Sequence, residues 1–446
     1  MPRRVPAPSG KALYPVLPPG RQVMSPEQNA LHQRARLQGA MVAAVAQNGY
    51  AGTTIKQLVS LAGVSRTTFY RHFADKEQCF LATYDMIATL STERISRAYR
   101  EVEGWRERLE AGFKYFAEIV VVERDASHLV LVDALGAGHR VLEHRDRMIS
   151  IYELMFRQSF NDAPEKATVS DTTIRAIVSG MRRVAYRRLL RGEPESIGEV
   201  IDDLLTWAIG YHAPGVKPPL RPPLTIAEHP PPLHQVLRES VISPLDPIKS
   251  RSTHTHRERI LHAVVSIASE GGFPALSIPA ISARAGISNE AFYENFTDKL
   301  EAFLAVFNEA SGRALARAAE AFQAAPDWPQ AARDSITALL QFVAEDPVFA
   351  RLAFFEILTG GPAAIELAER NLDAFGAMFA PGHEQHPEVP LVVSEAIVGG
   401  IWNVMQYEIG HGRAAQLPEL APELIYITLA PFIGAQEAIQ VATGAG

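Results

Sequence analysis

Cysteine is almost missing from this chain of 446 residues. Cys79 is its one thiol, which excludes an internal disulfide framework and a multi-cysteine zinc site and suits a reducing cytoplasm. No apolar run approaches the roughly 20 residues that a membrane span needs. Residues 1–24 are proline-rich and basic but lack the apolar stretch of a secretory signal, so they are read as a disordered arm. There is no phosphate-cradling glycine loop, nucleophile elbow or two-histidine metal motif, which argues against an enzyme; no catalytic residue and no cofactor is expected. His128, His139 and His144 lie near Asp133 without the spacing of a metal ligand set, and solvation or capping accounts for them better.

What is present is an ordinary globular composition, 47% hydrophobic and 21% charged, on a chain too long for one hydrophobic core. The net charge of −7 hides a split. From Met1 to Lys76 there are ten Lys/Arg against two acids, a surplus of +8, which leaves −15 for the remainder. A basic end on an acidic body concentrates phosphate affinity at that end, because neutralised phosphates release condensed counterions.

The chain also repeats itself. Asn48 to Phe80 (NGYAGTTIKQLVSLAGVSRTTFYRHFADKEQCF) lies without gaps on Gly271 to Phe303 (GGFPALSIPAISARAGISNEAFYENFTDKLEAF) at a constant offset of 223. Gly63 meets Gly286, Ser65 meets Ser288, Phe69 and Tyr70 meet Phe292 and Tyr293, and Lys76 meets Lys299. The register continues through Leu129 to Arg147 and Leu352 to Arg370, where Asp133 meets Glu356; at Ala176 and Ala396 the offset has become 220. Whole units are duplicated. Between them residues 213–250 carry proline at a density that denies backbone donors and favours extended chain, and are read as a linker in which HQVLRESV forms a helical turn or two.

Inside the repeat, Ser25, Pro26 and Gln28 open a first helix that should stop at Asn48-Gly49, with Leu37, Met41, Val42 and Val45 as its apolar stripe. Thr53 or Thr54 opens a second, with Gln57 as capping partner; Gly63 allows a tight left-handed turn; Ser65 caps a short third helix and Asp75 a fourth. Two short helices joined by Ala-Gly-Val can place the second in a major groove. The run TTIKQLVSLAGVSRTTFYRHFADKEQCF resembles the TetR family of bacterial regulators. The resemblance covers both units, about Ser25 to Tyr211 and His254 to Ala438. It implies an all-α fold in which each unit is a three-helix helix-turn-helix head plus a helical regulatory and pairing body. Residue by residue it makes Arg66, Thr67, Thr68 and Arg71 candidates for base edges or nearby phosphates, and Tyr70, His72 and Lys76 for the sugar-phosphate backbone; Thr54, Lys56 and Ser65 complete the candidate DNA-binding set. Arginine pairs in bidentate fashion with guanine, threonine methyls suit thymine, and the start of the fourth helix offers amides to a phosphate.

The second copy keeps the core but places Asn289 at Arg66, Glu290 at Thr67, Ala291 at Thr68, Glu294 at Arg71 and Asn295 at His72. Carboxylates facing phosphates repel them, so this head is expected not to bind DNA in the family manner; the rival is acceptance from cytosine amino groups.

The divisions read from the sequence are 25–84 for the first head, 85–212 for its body, 213–250 for the linker, 251–307 for the degenerate second head, 308–438 for its body and 439–446 for a disordered tail. Trp105, Phe113, Tyr115 and Phe116 in the first body, and Phe342, Phe349, Phe354 and Phe355 in the second, are candidates for lining an effector pocket, of which Trp105, Phe113, Phe116, Phe342 and Phe354 are singled out; core packing explains any one of them equally well. The arginine-rich run at 172–192 differs from the apolar AIVGGIWNVMQYEIG of the second copy, which suggests that the halves pair as an intramolecular pseudo-dimer, with a homodimer of chains as a further partner. What the resemblance implies is a cytoplasmic, nucleoid-associated repressor of an operator in double-stranded DNA, relieved by a small-molecule effector. A protein-binding regulator that has abandoned DNA is the other class.

Overall fold

The structure is a computed structural model that describes residues 25–220 and 255–444; every regular element among the described residues is helical. The arm at 1–24, most of the linker with its HQVLRESV stretch, and residues 445–446 lie outside them. Two compact units separate: residues up to 164 together with 181–206, and 165–180 together with 207 onward.

In the first unit α1 (Pro26–Gly52) opens on a capping box, Ser25 Oγ accepting from Gln28 N while Gln28 Oε1 accepts from Ser25 N. Leu37, Met41, Val42 and Val45 are buried along one face. The helix breaks at Gly49, with φ 66°, as the Asn-Gly pair suggests, but then resumes for one more turn. Thr54 caps α2 (Ile55–Ala62), Gly63 takes the left-handed conformation at φ 60°, and Ser65 caps α3 (Arg66–His72). Leu58, Phe69 and Phe73 close a core with Leu37 and Met41, which fixes the angle at which α3 leaves the turn. Asp75 caps α4 (Lys76–Arg100), which runs out of this head as one continuous helix and packs on α5 (Trp105–Val122) and α7 (His139–Asp162); α6 (Arg124–Leu131) lies against α1. The latter part of α8 (Asp171–Leu190) and most of α9 (Ile197–Gly210) complete this unit.

The second unit repeats the scheme. Its head comprises α10 (His256–Gly271), α11 (Ile278–Ala285) and α12 (Asn289–Tyr293), capped by Thr255, Ser277 and Ser288, with Gly286 at φ 64° in the turn. The body follows as α13 (Lys299–Ala324), α14 (Trp328–Glu345), α15 (Pro347–Arg351), a π-helical segment at Leu352–Glu356, α16 (Pro362–Gly376), α17 (Ala380–Gln385), α18 (Leu391–Gly410) and α19 (Ala421–Ile433). The expectation of a disordered tail over 439–446 is corrected by α20 (Ala435–Thr443). Ala438 and Ala442, one turn apart, are both buried, and that small apolar stripe docks the helix on α14 and α19.

Within the second unit the first half of α8 crosses α18 at backbone contact. A Cβ added to Gly180 would meet the Ala396 carbonyl oxygen at 2.5 Å, and one added to Gly400 would meet that of Ala176 at 2.6 Å. Because Ala176 and Gly180 stand in the first repeat where Ala396 and Gly400 stand in the second, one contact occurs twice with its partners exchanged, the geometry of a two-fold crossing. Ser179 Oγ donates to Asn403 Oδ1 over 2.7 Å beside it, and the Tyr211 hydroxyl donates to the Ile427 carbonyl over 2.6 Å.

Candidate nucleic-acid interface

The exposed end of the first head is built by α2, the turn at Gly63 and α3. Phe69 is fully buried, so the neighbouring positions Arg66, Thr67, Tyr70 and Arg71 face solvent, and Tyr70 keeps 53% of its surface exposed. Lys56 and Thr54 are exposed on and before α2. Thr54 and Ser65 are also the caps: Thr54 Oγ1 accepts from Gln57 N and Ser65 Oγ from Thr68 N, so their hydroxyls hold the two helices in register. Thr68 shares its hydroxyl with Ser65 Oγ at 2.9 Å, so its oxygen is already engaged within the turn. Arg66 and Arg71 are thus exposed on α3, and neither α2 nor α3 carries an acid, while Asp75 and Glu77 stand at the start of α4.

Two positions take a form that sequence spacing does not show. Lys76 Nζ donates to the carbonyls of Tyr50 (2.9 Å) and Thr53 (3.0 Å) and stands 4.3 Å from the Tyr50 ring centroid, tying the start of α4 to the end of α1. Two of its three donors are thus taken by these carbonyls, and burial lowers its pKa from the ordinary lysine value. Lys299 does the same in the second head, donating to the Leu276 carbonyl at 2.8 Å beside the Phe273 ring. His72 is half-buried with Nε2 3.2 Å from Gln33 Oε1; burial first, then the charges of Arg34 and Arg71, hold its pKa below the usual histidine value.

Three residues of α1 join this surface without having been singled out in sequence. Gln33 backs His72, Arg34 lies 4.8 Å from the Phe73 ring centroid, and Arg36 donates to the Gly63 carbonyl at 3.2 Å. The i, i+3 placement of Gln33 and Arg36 on the polar face of α1 was the available signal. The Arg36 contact survives duplication, since Arg259 donates to the carbonyls of both Ala285 and Gly286.

On the second head the scaffold is equivalent and the chemistry opposite. Asn289, Glu290, Tyr293 and Glu294 are the exposed residues of and just after α12, and Asn295 turns its amide back onto the Ala291 carbonyl at 2.8 Å. Arg284, the cation nearest this turn in sequence, is held by Glu270 at 2.7 Å and 3.0 Å.

The aromatic candidates in the bodies divide. Phe113 is buried against Phe156, and Trp105 packs on Phe160. Phe116 lines a small cavity of about 30 Å³ in the first body, with Tyr152 and Arg182 on its wall. In the second body Phe342 packs edge-on against Phe349, whereas Phe354 lines a cavity of about 70 Å³ and is stacked on Trp402 with ring centroids 4.0 Å apart. His128 and His144 are each engaged by a separate carboxylate, Asp133 at 2.7 Å and Asp85 at 2.5 Å; among the described residues no three metal-ligating side chains converge. No described helix is long and apolar enough to cross a membrane.

The sequence matches the family described as bacterial regulatory proteins, tetR family, twice, at residues 40–83 and 260–306. No curated protein matches the chain. Solved structures similar to part of it include the transcriptional regulator FadR from Bacillus subtilis in complex with stearoyl-CoA, at 13% identity over 40% of this chain and 97% of that one with a TM-score of 0.37. The fatty acid degradation regulator FadR from Bacillus halodurans is similar at 12% identity over 42% and 97%, TM-score 0.38. A TetR family transcription regulator from Marinobacter aquaeolei VT8 matches at 18% identity over 40% and 97%, TM-score 0.34.

Proposed function

Because the chain carries two tandem units of the TetR family of bacterial regulatory proteins, we propose that it is a transcription repressor in the cytoplasm whose first head alone grips operator DNA and whose grip is relieved by a small-molecule effector. The observation that carries this reading is the pair of aligned α3 and α12 surfaces: Arg66, Thr67, Tyr70 and Arg71 exposed on one, Asn289, Glu290, Tyr293 and Glu294 on the other, over the same buried phenylalanine. In this reading Arg66 and Arg71 meet base edges or phosphates, the Thr67 and Thr68 methyls meet thymine, and Tyr70, His72 and the remaining Lys76 donor hold the backbone. Lys56 and the caps Thr54 and Ser65 flank the same groove. Glu290 and Glu294 in that position would place carboxylates against phosphates, a repulsive arrangement.

The reciprocal crossing of Gly180 and Gly400 supports pairing of the two repeats as a pseudo-dimer. One chain then presents one competent head, and a palindromic operator engages two chains. The cavities lined by Phe116 and by Phe354 are the effector sites this reading assigns.

The test is binding of the full chain to its own promoter DNA, followed across a salt series. Arg66→Ala/Tyr70→Ala should abolish the complex and flatten its salt dependence, while Glu290→Ala/Glu294→Ala should leave both unchanged. Loss of affinity with the second pair would mean that both heads read DNA.

A further inference from the structure

The cavity of the second body is walled almost entirely by carbon, from α13, α14, α15, the π-helical segment, α16 and α18. Two polar side chains interrupt that wall, Ser311 and Asn371, and no charged side chain lines it. The Asn371 Nδ2 is buried with no hydrogen-bond partner. A buried amide nitrogen without a partner carries a desolvation cost that evolution ordinarily removes by substitution or satisfies with a bound group. On the same wall Phe354 and Trp402 are stacked with only 20° between their planes, leaving flat faces on which a second flat group can lie. The first body differs at the corresponding place, where Arg182 stands on the cavity wall beside Tyr152.

We infer that the second body selects an uncharged, mostly apolar and flat molecule that carries one hydrogen-bond acceptor, a carbonyl or its equivalent, received by Asn371 Nδ2. This rests on the reading of the bodies as effector sites and adds to it the ligand's chemical class. Charge is excluded by the wall: a carboxylate entering it would lose its water with no cation to replace it. Size follows as well. The void of about 70 Å³ is half of the roughly 150 Å³ that admits benzene to an engineered apolar cavity, so an occupant must displace part of the wall. Phe354 belongs to the π-helical segment Leu352–Glu356, a type of local insertion that recurs at functional sites and gives the backbone room to shift.

The experiment is calorimetric titration of the full chain with three probes that share one bicyclic ring: 2-acetylnaphthalene, naphthalene and 2-naphthoate. The ketone should bind about five- to tenfold more tightly than naphthalene, the value of one hydrogen bond to an otherwise unpaired buried donor, and 2-naphthoate at least on the order of a hundredfold more weakly than the ketone. Asn371→Leu should erase the advantage of the ketone while leaving naphthalene affinity within about twofold, which also shows that the variant is folded. Equal or tighter binding of 2-naphthoate, an unchanged ketone-to-naphthalene ratio in Asn371→Leu, or no heat from any probe overturns the inference. Release of promoter DNA by the ketone reports on the effector reading instead; if the affinities fall in the stated order but DNA is retained, the ligand class stands and the regulatory reading fails.

Discussion

Arg351 and Glu356 form a buried ion pair, Nε to Oε1 at 3.0 Å, that fastens the second head to its own body. Arg351 Nη1 donates to the Ser269 carbonyl at 2.6 Å, and Glu356 Oε2 accepts from Phe273 N at 3.1 Å, so both partners reach the end of α10. At the same repeat positions the first unit has His128 and Asp133, 2.7 Å apart. The shorter acid reaches less far: a Cβ on Gly49 would lie 3.9 Å from Asp133 Oδ1, whereas one on Gly272 would lie 2.7 Å from Glu356 Oε2.

Removing one partner of a buried pair is far more costly than removing one that water can replace. Glu356→Ala should cost the second head about 3–5 kcal/mol, because the Arg351 guanidinium stays buried without its carboxylate. Asp133→Ala should cost under about 1 kcal/mol, since the His128 side chain is 35% exposed. Hydrogen exchange of the amides at 269–273 and 46–50 separates the two, because it reads local opening without requiring whole-chain unfolding to be two-state. Equal protection loss in both heads would show that the clasp is no tighter in the second.

If His72 stands beside a phosphate, as proposed, DNA binding depends on pH with a definite sign. Its folded pKa lies below the ordinary 6.5 because of burial and then Arg34 and Arg71. The unfolded chain therefore takes the proton first, and the contribution to stability is present above about 6.5 and lost as pH falls from there toward the depressed value. A phosphate beside the imidazole favours the charged form, so binding takes up a proton. DNA affinity should rise as pH falls from about 7.5 to about 5.5, while the free head loosens over the lower part of that range. His72→Gln should remove the rise in affinity. A pH profile unchanged in that variant would place His72 away from phosphate.

Much of the head was legible in sequence because its signals are local. Ser25, Thr54, Ser65 and Asp75 each cap the helix that follows, and Gly63 takes the left-handed turn that no residue with a Cβ adopts easily. Gly49 broke α1 as the Asn-Gly pair indicates, yet one more turn followed, since Thr53 Oγ1 donates back to the Gly49 carbonyl at 2.8 Å and holds the chain in place. The inward turn of Lys76 was not legible, because an exposed lysine and one placed over an aromatic ring share the same spacing. Nor was the split among aromatics: Phe342 and Phe354 have equivalent surroundings in sequence, and only the stacking of Phe354 on Trp402 marks it as cavity wall. The Arg351 clasp spans 82 residues to Ser269, a separation across which periodicity carries no information.

The crossing of α8 and α18 tolerates no side chain at two places related by the repeat. At Gly180 an added Cβ meets the Ala396 carbonyl oxygen at 2.5 Å and the Trp207 ring at 2.9 Å, and at Gly400 it meets the Ala176 carbonyl oxygen at 2.6 Å. Two of these obstacles are backbone atoms, so relief requires the helices to move apart rather than a rotamer to change. Gly180→Ala and Gly400→Ala should each destabilise the second unit by about 1–3 kcal/mol. The double variant should cost less than the two single variants added together, because a separation forced by one methyl already makes room for the other. Thermal unfolding of the two single variants and the double variant measures this coupling, and strict additivity would show that the two glycines do not share one interface.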